Sequence, residues 1–156
     1  MDILPGLRAM QNYHPVFVHF PIAFWLGALL MEALAQARGN TDWHRTGVRL
    51  LYLGTIAAVF AVTTGLLAED AVPVMGPAQE ILIWHERLMM VSSSLALGLC
   101  MVAGFNRDAF TPRLRKFYLT GLMVLAVLLT LGADRGAQLV YQYGTAVHWP
   151  DALQQK

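Results

Sequence analysis

Charge is scarce in this chain: only 13% of its 156 residues are Asp, Glu, Lys or Arg, about half the usual share of a soluble domain. That scarcity argues against an ordinary solvated surface. With no basic arm and no aromatic-interleaved basic stripe, nucleic acid has no footprint here. Cys100 is the only cysteine, which excludes an intrachain disulfide, a Cys-rich metal site and a thioether haem attachment of the C-x-x-C-H kind. No obvious small-residue cleavage site accompanies the first apolar run, which is also longer than a signal h-region and so reads as a retained helix. Neither a nucleophile–base arrangement nor a pair of catalytic carboxylates is visible, so the chain does not read as a stand-alone enzyme.

What the sequence does have is apolar length. Hydrophobic residues are 56% of the chain. Four stretches, roughly 16–37, 50–68, 81–104 and 117–133, approach the ~20 residues that an α-helix needs to cross ~30 Å of hydrocarbon. They are apolar nearly all round, whereas a soluble bundle would show polar stripes at helical period. The expected fold is all-α: one integral membrane domain over residues 1–156, a four-helix transmembrane bundle whose even span number puts both termini on one side.

The connections set the orientation. Arg38, Arg45 and Arg49 lie between spans one and two, and Arg107, Arg113, Arg115 and Lys116 between spans three and four. Positive residues near helix ends stay cytoplasmic, so both termini and the 69–84 connection are expected on the outer, periplasmic side of a bacterial inner membrane. Trp43, Trp84 and Trp149 suit interfacial anchoring. A shift of 71 residues places His14 over His85, Gly27 over Gly98 and Gly65 over Gly136. This suggests two hairpins related by an axis along the membrane normal.

The histidines are the candidates for chemistry. The first span opens Tyr13-His14-Pro15-Val16-Phe17-Val18-His19-Phe20-Pro21, and His85 opens the third at comparable depth. Residues five apart on a helix do not share a face, so His14 and His19 would not chelate one ion together. Imidazoles from two helices, facing inward at one depth, suit the opposite faces of a six-coordinate haem b. The pair expected to ligate the haem iron is His19 with His85, and His14 is a supporting partner or the alternative ligand. Arg87 and Arg135 at the same end would meet haem propionates, and Tyr141 would hydrogen-bond a cofactor carboxylate. A bound metal ion and plain interfacial hydrogen bonding remain open for the same histidines.

Elsewhere the readings are plainer. His44 reads as ordinary surface and His148 as a secondary candidate. Glu32 reads as a snorkelling carboxylate, with proton handling as the alternative. Ser92, Ser93 and Ser94 read as packing residues, and Gly144 as a helix stop. Met75, Met89 and Met90 raise Cu(I), which thioethers favour, but scattered methionine in apolar helices is mostly filler.

The stretch His14-Pro15-x-x-Val18-His19-Phe20-Pro21-Ile22, a histidine opening the third span, and the closing Leu139-Val140-Tyr141-x-x-Gly144 resemble the bacterial DUF2231 family over roughly residues 13 to 147. The resemblance implies a four-helix membrane protein, found beside or fused to redox domains, with His14, His19 and His85 at the family's histidine positions. The family's glycine pair before the Leu-Val-Tyr segment is reduced here to Gly136-Ala137. The expected role is a b-type electron-transfer subunit. It would relay electrons between quinol in the membrane and a partner such as a c-type cytochrome, within a larger redox complex. A cofactor-free scaffold subunit and a small metal-ion or proton transporter are the alternatives.

Overall fold

The structure, a computed structural model, describes residues 3–69, 76–106 and 110–147. Met75, Arg107, His148 and Trp149, each given a reading above, lie outside the described residues. Among the described residues every regular element is helical. Two short helices, α1 (Pro5–Ala9) and α2 (His14–Phe17), precede four long ones: α3 (His19–Arg38), α4 (Thr41–Ala68), α5 (Pro77–Phe105) and α6 (Pro112–Tyr143). With α2 counted into the first, four helices are long and apolar enough to cross a membrane. The chain is therefore an all-α multi-pass membrane bundle.

Local chemistry sets the helix ends. Pro21 has no N–H to offer the carbonyl of Phe17, four residues back, and the chain breaks at Val18 between α2 and α3. Gly39 ends α3 in the left-handed region at φ 63°, and the Asn40 N–H reaches back to the Ala35 carbonyl. The Asn40 side chain then caps α4, accepting from the N–H groups of Asp42 and Trp43. Gly144 closes α6 in the same way at φ 66°. Thr111 caps α6 through Leu114 N–H, with Pro112 in the first turn.

Two helices outrun their apolar stretches. α4 starts at Thr41, about two and a half turns before the apolar stretch that opens at Leu50, and α6 runs ten residues beyond Ala133 to Tyr143. Both extensions carry polar residues on exposed faces (Asp42, Arg45 and Arg49 in α4; Asp134, Arg135 and Gln142 in α6), so helix continues where hydropathy stops.

α3 and α4 form one hairpin and α5 and α6 the other. The hairpins lie side by side, α3 against α6 and α4 against α5. The start of α2 and the end of α6 share one end of the bundle, here the terminal end. The turn at Gly39–Asn40 and the segment before α6 mark the loop end. Trp25, Leu51, Leu99, Tyr118, Leu122, Leu125 and Leu129 fill the centre between small residues such as Ala28, Ala58, Ala96 and Ala103. In lipid no hydrophobic force drives helices together, so association rests on close van der Waals packing, which small residues permit. The fit is tight at Gly54, where a Cβ would come within 2.5 Å of the Trp25 indole. Leu30, Ile56, Phe60, Leu97, Met101, Val127 and Leu131 point outward and are half or more exposed, a surface suited to lipid chains.

Candidate functional site

At the terminal end two histidines meet. α2 brings in His14 and α5 brings in His85, with ring centroids 6.3 Å apart and planes at 85°. Each ring is tethered to the second helix of its own hairpin. His14 Nδ1 lies 2.9 Å from the Ala61 carbonyl of α4, and His85 Nδ1 lies 2.7 Å from the Gly132 carbonyl of α6. A carbonyl can only accept, so each Nδ1–H donates and each neutral ring keeps its lone pair on Nε2.

The two arrangements match residue for residue. His14 and His85 are 71 positions apart, and so are their acceptors Ala61 and Gly132. So are Gly65 and Gly136, against which the rings lie: a Cβ would stand 3.0 Å from His14 Cε1 at Gly65 and 2.9 Å from His85 Cε1 at Gly136. Neither ring could sit so close to its neighbouring helix if that residue carried a side chain. The repeat is therefore expressed where the histidines dock. It is not expressed at Gly27 and Gly98, since Gly27 faces Leu50 and nothing stands within 4 Å of Gly98.

The other candidates are placed differently. His19 is exposed on α3 and does not join the pair. Arg87 is exposed with its guanidinium 5.9 Å from the Trp84 ring, and Arg135 is exposed and donates to Gln138 Oε1 at 3.0 Å. Tyr141 is 90% exposed. Near the His85 anchor, a shallow groove between α3 and α6 is lined by Ile22, Leu26, Leu129, Ala133, Asp134 and Ala137. Met89 packs against the central core, and Met90 is exposed. Ser92 is buried and turned back onto its own helix, donating to the Leu88 carbonyl.

A second polar cluster lies at the loop end, where the sequence suggests a surface His44 and a snorkelling or proton-handling Glu32. Glu32 is fully buried. It accepts from His44 Nδ1–H at 2.5 Å and from Arg115 Nε–H at 3.3 Å. Phe110 and Tyr118 enclose the His44 ring, at 4.5 and 6.1 Å between centroids. The signal available in the sequence was a carboxylate inside an apolar span, which in a membrane calls for a partner.

The family described as "Predicted membrane protein (DUF2231)" matches residues 10–148, and the chain belongs to it. No curated protein and no solved structure matches the chain.

Proposed function

With membership of the DUF2231 family as the premise, we propose that this chain is a b-type membrane cytochrome subunit holding one haem non-covalently between His14 and His85. The observation that carries the reading is the facing pair of imidazoles, each with Nδ1 tethered to a carbonyl and Nε2 left as a ligand. Such tethering fixes tautomer and ring orientation and raises ligand basicity. At 6.3 Å between ring centroids, the two imidazoles are close enough that both would serve one metal centre. Among the described residues no group of three or more His, Cys, Asp or Glu side chains could hold a metal ion. His14 and His85 are the ligands this chain would lend to a haem, whose iron would bring its remaining donors with the porphyrin.

The haem, once bound, would supply a one-electron couple. The protein's part is to hold two neutral imidazoles in place within an apolar bundle. Arg87 and Arg135 stand at the same end as cationic partners for carboxylates. The basic residues gathered at the loop end support a reading with that end in the cytoplasm and the histidine pair near the outer face of a bacterial inner membrane. There the subunit would relay electrons between quinol and a partner such as a c-type cytochrome.

The test is a pyridine-haemochrome assay and visible spectrum of the full-length protein purified from haem-sufficient cells. A Soret band lost in His14→Ala and in His85→Ala, and kept in His19→Ala and His44→Ala, supports the reading. A colourless folded protein, whose stability alone responds to those substitutions, would make it a cofactor-free scaffold.

A further inference from the structure

The cluster at the loop end lies 18 residues along the chain from His14, roughly 27 Å at helical rise. It belongs to a different site, and it does not depend on the haem reading. Three helices build it: Glu32 from α3, His44 from α4, and Arg115 and Tyr118 from α6.

Its pieces do more than neutralise one charge. Among the described residues each Glu32 oxygen has a single partner, His44 on one and Arg115 on the other, so lone pairs remain on both. The Tyr118 hydroxyl and Arg115 Nη2 are buried and meet no hydrogen-bonding partner among the described residues. Tyr118 is fully buried. Arg115 and Tyr118 are three apart on one helix, so both project toward the same place. The His44 side chain is 13% exposed while Glu32 is 0% exposed, so the imidazole stands between the carboxylate and the aqueous phase at this end.

We propose that Glu32, His44, Arg115 and Tyr118 form a proton-exchange site open to the aqueous phase at the loop end. A proton arriving from water binds His44 Nε2, and the Nδ1 proton passes to Glu32 Oε2. Neutral imidazole and a carboxylic acid result, with Arg115 still cationic, and the cluster has gained one positive charge. Tyr118 and Arg115 Nη2 are the two remaining polar contacts for a water molecule beside the carboxylate, and two to four such contacts are what a buried water requires. Asp42 pairs with Arg45 at the surface and Arg38 lies over Trp43, while Arg49, Arg113 and Lys116 are exposed cations on α4 and α6 at this end. A static clamp would have needed only Glu32 and Arg115.

The experiment is infrared difference spectroscopy of the full-length protein in lipid nanodiscs, stepped from mildly alkaline to mildly acidic pH. A carboxylic-acid C=O band should rise, shift downward in D2O and vanish in Glu32→Gln. Tyr118→Phe keeps the ring and should move the band upward by removing one of the two contacts that hold the water beside the carboxylate. If Glu32→Gln fails to fold, carboxyl-labelled glutamate identifies the band in the unsubstituted protein and in Tyr118→Phe. An unchanged carboxyl region on acidification, or a band that ignores both Glu32→Gln and Tyr118→Phe, would overturn the proposal and leave a static ion pair.

Discussion

Gly136→Ala tests how the histidine pair is held. The new Cβ would lie 2.9 Å from His85 Cε1 and 3.1 Å from Nδ1, where ordinary contact begins at 3.4 Å. The ring must therefore retreat by about half an ångström (3.4 minus 2.9) or the helices must part. A retreat of that size would stretch the 2.7 Å bond from Nδ1 to the Gly132 carbonyl toward the end of the useful range. Alanine gains about 0.5–1 kcal/mol over glycine in a helix interior. Against this stand a weakened hydrogen bond, about 1 kcal/mol, and crowding of about 1–3 kcal/mol. The expected result is a net loss of about 1–3 kcal/mol in unfolding free energy in mild detergent. Where haem is bound, affinity should fall about 10–100-fold, as for other outer-shell partners of metal ligands. Gly65→Ala should behave alike, because a Cβ there would meet His14 Cε1 at 3.0 Å. Gly98→Ala is the control: nothing lies within 4 Å, and it should be neutral or slightly stabilising. If Gly136→Ala and Gly65→Ala prove as harmless as Gly98→Ala, the docking of rings onto bare backbone is refuted.

Gly54→Ala should drive a methyl group into the rigid, buried Trp25 indole and cost about 1–3 kcal/mol, read as a lowered midpoint in thermal unfolding. Glu32→Ala strands Arg115 and His44. Because Arg115 is 22% exposed and can reach water, the loss should stay near or below about 3 kcal/mol, with Glu32→Gln milder in the same denaturation assay. Asn40→Ala removes the cap that receives Asp42 and Trp43 N–H groups, and should cost about 1 kcal/mol and fray the start of α4 in hydrogen exchange.

Hydropathy made the four helices legible, since burial in lipid leaves a long apolar run as its mark. It could not reveal the start of α4 at Thr41 or the length of α6 to Tyr143, because helix beyond the hydrocarbon carries polar residues and depends on caps such as Asn40 and Gly144. The repeat was readable at His14/His85 and Gly65/Gly136. The matching acceptors Ala61 and Gly132 were hidden, since a backbone carbonyl carries no residue identity. Which histidine joins His85 turned on the rotation of the first helix. The break at Val18 sets His14 inward and leaves His19 exposed, a matter of backbone geometry more than composition. His44 looked like surface because it sits in a polar stretch, yet it lies three residues inside a capped helix that folds it over Glu32.

The most direct measurement is a spectroscopic titration of haem into the apo-protein in nanodiscs, run on the unsubstituted chain, His14→Ala, His85→Ala and His19→Ala. The account predicts one haem per chain with a low-spin, six-coordinate spectrum for the unsubstituted chain and His19→Ala, and loss of that spectrum in the other two. A six-coordinate spectrum that survives His14→Ala but disappears in His19→Ala would contradict the pairing on which the account rests.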